Sequence, residues 1–305
     1  MRSFLARFSP GHAGGDAPFL GIALALLGAF CFVVQDSTIK WLSTDFTILQ
    51  ILFLRSLFAI VFLVGGTKMG GQTPFRRIRR PWLMLLRTVL NVLSWCAFFT
   101  GLKYLPLATA TALFFTFPLM LTVLSVPLLG EKVGIRRATA IAVGFAGVIF
   151  MTNPAEGFDW PFGFMLTAAL GWSLVAIITR TLGKTEQAST MLLHTLAGFV
   201  VLTAPAQFWF WQPMDLFAVA LVAITAFFGA IAQLSLTKAY SVATPTVVAP
   251  FEYTGLIWAA IFGFLIWGDV PSLPVWVGAG MIMMSGLYVL HREGVKAQPQ
   301  NKAQG

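Results

Sequence analysis

Residues 103–131 read KYLPLATATALFFTFPLMLTVLSVPLLGE. Between Lys103 and Glu131 no side chain carries a charge, and the run from 107 to 129 is almost wholly apolar. A helix that crosses the hydrocarbon core of a bilayer needs roughly 20 such residues. No water is available there to satisfy the backbone, so a run of this length must close its own hydrogen bonds as a helix. Runs of the same kind recur at 18–42, 46–64, 81–101, 137–152, 161–179, 191–210, 215–237, 246–267 and 274–290. Gly65-Gly66, Gly70-Gly71, Asn153-Pro154, Gln212-Pro213 and the stretch Pro271 to Pro274 punctuate them.

Composition points the same way. Of 305 residues, 58% are hydrophobic and 10% charged, with mean hydropathy +0.83. Soluble domains carry about 25% charged residues, so lipid must cover most of this surface. Ten spans use up most of the chain and leave no room for a soluble catalytic domain. The first run follows Arg2 and Arg7 but continues past 20 residues without a clear small-residue cleavage site, which reads as a retained signal-anchor helix. Cys31 and Cys96 both lie inside apolar runs and read as small buried hydrophobes, not as a disulfide or metal site.

The net charge of +9 is placed as a topology signal and not as a nucleic-acid face. With the N-terminus inside, 16 lysines and arginines fall in cytoplasmic segments, among them Lys68, Arg76, Arg77, Lys132, Arg136, Arg137, Arg180, Lys184 and Lys238. The outer loops hold only Lys103, while Lys40, Arg55 and Arg87 lie within helices. Such a bias places both termini in the cytoplasm and requires an even number of helices.

The chain also repeats itself. Lys103-Tyr104 with Ala108-Thr109 precede the fourth run, which ends at Gly130-Glu131. Lys238, Tyr240 and Ala243-Thr244 precede the ninth, which ends at Gly268-Asp269. A Gly-rich helix follows each, with Gly144 and Gly147 in one and Gly278, Gly280 and Gly286 in the other. Phe19-Leu20-Gly21 and Pro161-Phe162-Gly163 open the first and sixth runs. Five helices per copy invert the second copy, an arrangement typical of secondary transporters. The expected fold is an all-α integral membrane protein of ten transmembrane helices, built as two inverted five-helix repeats at 18–152 and 161–291. Cytoplasmic tails at 1–17 and 292–305 flank them, the latter expected to be disordered.

Two stretches resemble a known family. Leu105-Pro106-Leu107-Ala108, Pro118, Gly130-Glu131, Arg136-Arg137 and Gly144 to Val148 look like one EamA domain of the drug/metabolite transporter superfamily. Ala249-Pro250-Phe251-Glu252-Tyr253-Thr254-Gly255-Leu256 through Gly268-Asp269-Val270-Pro271 looks like a second. The resemblance covers nearly the whole chain and implies a central cavity, alternating access and a cell inner membrane location. It implies no single substrate. The Ala-Pro-Phe-Glu-Tyr type of ninth helix is most similar to an uptake branch that includes riboflavin and S-adenosylmethionine transporters. Riboflavin uptake is the leading expectation, with transport of amino acids, amines or S-adenosylmethionine as the alternative.

Polar groups inside the membrane carry the functional information, because each costs about 2.5–3.5 kcal/mol at a helix centre. Gln35, Asp36 and Lys40 share roughly one face of the first helix. Asp36 and Lys40, four apart, can pair with each other, or Gln35 and Asp36 can line a cavity. Arg55, with Gln50 five residues earlier, either snorkels, or holds an anionic or carbonyl-bearing solute or pairs with Asp36. Arg87, Asn91 and Trp95 form one stripe on the third helix, with Arg87 equally suited to interfacial anchoring. Glu252 and Tyr253 follow Pro250, and Glu252 either exchanges a proton or pairs with Lys238. Asp36 and Glu252 are the proton-coupling candidates.

Gln233 is a further cavity candidate, His194 reads as structural, and Trp172, Phe251 and Trp258 offer rings for a planar solute. Gly144, Gly147, Gly278 and Gly280 read as close packing between helices. Gly183-Lys184-Thr185 resembles the end of a P-loop, but Ile178 stands where the first glycine belongs and a helix precedes it. No cofactor or metal site is expected. The partners are a small-molecule substrate and the lipid bilayer, with a monomer or homodimer as the assembly. The competing classes are a membrane-embedded enzyme, for which three scattered histidines are a poor start, and a non-transporting membrane protein.

Overall fold

The computed structural model describes residues 17–70, 78–130, 133–152, 159–183 and 185–301. Arg2, Arg7, Arg76, Arg77, Glu131, Lys132, Asn153, Pro154 and Lys184 therefore lie outside the described residues. All regular structure within them is helical: α1 (Pro18–Leu42), α2 (Ile48–Gly70), α3 (Pro81–Tyr104), α4 (Leu107–Phe114), α5 (Phe117–Leu129), α6 (Ile135–Thr152), α7 (Trp160–Leu182), α8 (Ala188–Phe210), α9 (Leu216–Val242), α10 (Pro245–Glu252), α11 (Thr254–Trp267) and α12 (Leu273–Asn301). Among the described residues, nine stretches are long and apolar enough to cross a membrane, and Ile48–Phe62 is a shorter apolar helix. The protein is a multi-pass membrane protein.

Prolines open α1, α3, α7 and α10, where a missing N–H costs nothing. The last helix departs from the expectation of a disordered tail, since it continues to Asn301.

The fourth and ninth apolar runs are each interrupted. In the fourth, Phe115 and Thr116 separate α4 from α5. Thr116 donates its N–H to Leu113 and Leu119 donates to Thr116, so the helix tightens locally into three-residue turns. Pro118 supplies the cause, because it has no N–H for the Phe114 carbonyl. In the ninth, Tyr253 separates α10 from α11 and accepts from the Leu256 N–H in the same way. Both interrupted helices end on a glycine in the left-handed region, Gly130 at φ 69° and Gly268 at φ 71°. A side chain at either position would be strained.

The packing is close where residues are small. α1 lies against α9, with Gly21 against Ala243 and Gly28 against Leu236. α3 lies against α7, α2 against α8, and α6 against α12. α6 and α12 cross with the backbones of Gly147 and Gly278 touching, and Gly144 leaves room for Leu119 and Ser285. Gly280 departs from the packing expectation, since a Cβ there would meet nothing within 4 Å. α10 and α11 also pack on α1, α4 and α5 on α7, and α11 on α4. Ala17 donates its N–H to Val242 at the end of the bundle where α1 begins, hereafter the near end. α1 finishes at the far end.

Candidate functional site

Gln35 and Asp36 lie about 9–11 Å from the far end of α1, and Arg55 lies about 10 Å inside α2, at 1.5 Å rise per residue. Gln35 is fully buried and joins the other two: its Nε2 donates to Asp36 Oδ1 at 3.0 Å, and Arg55 Nη2 donates to its Oε1 at 2.6 Å. Gln35 thus links Arg55 to Asp36, and no direct ion pair joins the two. α9 approaches closely because Gly229 has no side chain. A Cβ there would strike Gln35 Oε1 and Arg55 Nη2.

The cluster is only partly satisfied. A guanidinium has five N–H donors, and a single one meets a partner among the described residues. Asp36 accepts on Oδ1 alone, leaving Oδ2 open. A cationic fork and a carboxylate oxygen are thus offered side by side inside the bundle.

An aromatic wall faces this centre. The Arg55 guanidinium lies over the Trp95 ring at 5.4 Å, Phe99 stacks on Trp95 at 5.0 Å, and Trp172 meets it edge-on at 5.5 Å. Phe98 packs on both Trp95 and Phe114, and Phe114 reaches Trp172 at 6.2 Å. The interruption of the fourth run sits in the middle: Phe114 turns to this wall while Phe115 turns to Tyr253, 4.6 Å between centroids. The two interrupted helices therefore touch at their breaks. Ser173, fully buried on α7, donates to the Phe117 carbonyl at 2.8 Å and takes up a backbone acceptor beside the break.

Several expected site residues fall elsewhere. Asp36 does not pair with Lys40, which donates to the Leu102 and Leu105 carbonyls at the far end of α3 and lies over Trp267 at 5.3 Å. An ammonium at the C-terminal carbonyls of a helix is favourably placed. Gln50 is not near Arg55's contacts, because its amide exchanges two hydrogen bonds with the Gln212 backbone, 2.6 and 3.0 Å. Both are ties that fasten the far end. Arg87 binds Thr179 and Thr195 at 2.7 Å each and fastens α3 to α7 and α8.

Glu252 accepts a short hydrogen bond from the Tyr240 hydroxyl, a contact between α10 and α9 away from Arg55. Gln233 is exposed, and its side chain makes no contact with the centre among the described hydrogen bonds. Trp258 packs edge-on against Phe30 at 5.1 Å, and Phe251 joins the apolar cluster of Ala25 and Val248. The ring of His194 contacts the Thr190 carbonyl of its own helix at 2.8 Å. In this arrangement the Trp95 ring is occupied by Phe99 and the Arg55 guanidinium. Phe98, Phe99, Phe114 and Gly229 were missed. In a chain with 29 phenylalanines nothing distinguishes these three, although the proline after Thr116-Phe117 marks the break.

The EamA-like transporter family matches this chain twice, over residues 19–153 and 160–290. The S-adenosylmethionine uptake transporter of Rickettsia bellii is 27% identical over 275 residues, covering 90% of this chain and 94% of that one. The riboflavin transporter of Rhizobium johnstonii is 29% identical over 290 residues, covering 90% and 92%. A solved crystal structure superposes with TM-score 0.61 at 16% identity, over 92% of this chain and 98% of the other, a likeness of fold alone.

Proposed function

The chain belongs to the EamA-like transporter family, and from this premise we propose that it is a secondary transporter of a small zwitterionic, heterocycle-bearing metabolite, with S-adenosylmethionine the best match. What carries this reading is the partly satisfied Arg55–Gln35–Asp36 cluster against the Trp95 and Trp172 wall. Free guanidinium donors suit an α-carboxylate. The open Asp36 oxygen suits an ammonium or sulfonium, and aromatic edges suit a base. The relative from Rickettsia bellii carries a name of that chemistry. Riboflavin is the second reading, supported by the relative from Rhizobium johnstonii and by the breadth of the aromatic wall. It leaves the paired charges without an obvious counterpart, because riboflavin is neutral.

The transporter sits in the bacterial inner membrane with ten spans and both termini cytoplasmic, as the 16 to 1 charge bias supports. Two inverted repeats, 18–152 and 161–291, are supported by the packing. α1 on α9 mirrors α7 on α3, α1 on α10 and α11 mirrors α7 on α4 and α5, and α9 on α2 mirrors α3 on α8. Movement of one repeat against the other around the two touching breaks would expose the centre alternately. Lys40 and Gln50 hold the far end shut, so this arrangement is closed to the outside. Asp36 and Glu252 are the acids available to couple proton flow.

Purified protein in liposomes tests the reading. Saturable uptake of labelled S-adenosylmethionine, competed by unlabelled compound and not by riboflavin, is the expected outcome. Saturable riboflavin uptake alone would select the second reading, and no saturable flux of either would overturn both.

A further inference from the structure

Two buried polar atoms beside the centre have no partner among the described residues: Asn91 Oδ1, an acceptor, and Trp172 Nε1, a donor. Asn91 is 3% exposed, so its carboxamide is held inside the protein. Buried polar groups are almost always hydrogen-bonded, and an orphan needs an explanation. Neither atom belongs to a tie of the kind Arg87, Lys40 or Gln50 makes.

Their placement is linked. α3 and α7 run antiparallel, in a register set by Gly101 against Met165, Ser94 against Gly171, and Arg87 against Thr179. This register puts Trp172 at a level between Asn91 and Trp95, which are one turn apart on one face of α3. The orphan acceptor and orphan donor therefore lie within about one helical turn of each other in height, on two helices that both border the Trp95 wall. An acceptor and a donor at neighbouring levels suit a heterocycle edge that presents a donor and an acceptor side by side.

We propose that Asn91 and Trp172 form a subsite that reads the hydrogen-bonding edge of the solute's heterocycle, while the Arg55–Asp36 centre takes its charged part. The inference rests on the reading above that this centre binds the transported solute. An adenine edge, with its amino group beside a ring nitrogen, and an isoalloxazine edge, with its imide N–H beside a carbonyl, share this chemistry. Both orphan atoms are closed to water in the present arrangement, so the substrate meets them as the bundle opens and relieves two unsatisfied groups at once. A site built this way discriminates strongly, because a ligand lacking the edge leaves the pair unsatisfied.

The test is competition for uptake into liposomes by adenosine, methionine, lumichrome and ribitol, in wild type, Trp172→Phe and Asn91→Leu. Trp172→Phe keeps an aromatic ring against Trp95 and removes the indole N–H together with part of the ring system, so it remains informative if Asn91→Leu fails to fold. The expected result is that each variant weakens competition by adenosine about tenfold, the loss of roughly one good hydrogen bond, and leaves methionine unchanged. In the flavin case lumichrome replaces adenosine and ribitol replaces methionine as the unaffected control. Saturable flux with both variants competing like wild type would overturn the subsite and leave the transport reading intact. If the wild type is competed by neither heterocycle, the subsite and the heterocycle-bearing substrate fall together.

Discussion

The two halves of the chain share one architecture and divide the chemistry unequally. The first half contributes Gln35, Asp36, Arg55, Asn91, Trp95 and Phe114, the polar and aromatic groups of the proposed centre. The second contributes mostly room and edges: Gly229 gives space to the guanidinium, Trp172 an indole edge, and Tyr253 a ring on which Phe115 rests. Its one acid near the break, Glu252, is engaged by Tyr240 instead of the centre. In the proposed cycle the duplicated geometry would supply the moving parts, and the differences between the copies would supply the site.

The largest effect should come from the point where the second half gives way to the first. Gly229→Leu would drive a side chain into Gln35 and Arg55, and flux should fall at least about a hundredfold, in line with the loss of a positioned charge group. Gly255→Ala is the matched control, because its Cβ would meet nothing closer than 3.9 Å. Flux in proteoliposomes, read together with the amount of folded protein by size exclusion, separates the two. Equal behaviour of both variants would break the comparison between chemistry and room.

Arg55→Ala comes next. Removing one member of a buried, bridged pair leaves Asp36 uncompensated and costs about 3–5 kcal/mol, so abundance should drop along with flux. The double variant Arg55→Ala, Asp36→Ala removes the orphaned charge. Recovery of abundance without recovery of flux assigns Arg55 to transport. Recovery of both would return it to the scaffold and leave the first half without its leading group.

The positions of these groups were unequally legible in the sequence. Apolar runs are visible without packing, so the helices and the paired glycines at 130 and 268 could be read directly, while α2, α9 and α12 run several residues past their apolar stretches and the breaks in the fourth and ninth runs were not read. A membrane arginine or glutamine is rare enough to stand out, which is why Arg55, Gln35 and Asp36 were found. Asp36 was read as one possible partner of Arg55, but the Gln35 bridge between them was not, because a helix shows its neighbours only through three-dimensional packing. Asp36 and Lys40 satisfy the four-residue spacing, yet the carbonyls of α3 claim the lysine. Gln50 precedes Arg55 by five residues, yet the Gln212 backbone claims its amide. Phe114 is one phenylalanine among 29, and Gly229 carries no side chain to notice.

Glu252 sharpens the comparison at a smaller scale. If the second half supplies coupling while the first supplies binding, Glu252→Gln should preserve substrate competition and lower gradient-driven uptake by about tenfold, the scale of a lost proton-transfer or charge interaction. The measurement is uptake into vesicles with and without an imposed pH gradient, in wild type and variant. Gradient dependence that survives in Glu252→Gln would move coupling to Asp36, and so into the first half.

The smallest effect belongs to the second-half residues that sequence spacing placed in the cavity and the structure places apart from the centre. Trp258 packs edge-on with Phe30, and Gln233 is exposed on α9 one turn beyond Gly229. Trp258→Phe keeps an aromatic ring against Phe30 and removes the rest of the indole at a half-buried position, a large-to-small exchange that should cost about 0.5–3 kcal/mol of stability. Gln233→Ala removes an exposed amide without creating a cavity, within about 0.5 kcal/mol for a surface change. Neither touches Gln35, Asp36, Arg55, Asn91 or Trp95, so both variants should retain uptake within about twofold of wild type, less than half of the 1.4 kcal/mol that a tenfold change requires. Initial rates at a substrate concentration well below saturation give the most sensitive reading. A tenfold loss in Gln233→Ala would mean that α9 rotates this amide towards the solute during the cycle, and the division of chemistry between the halves would then hold for the closed arrangement alone.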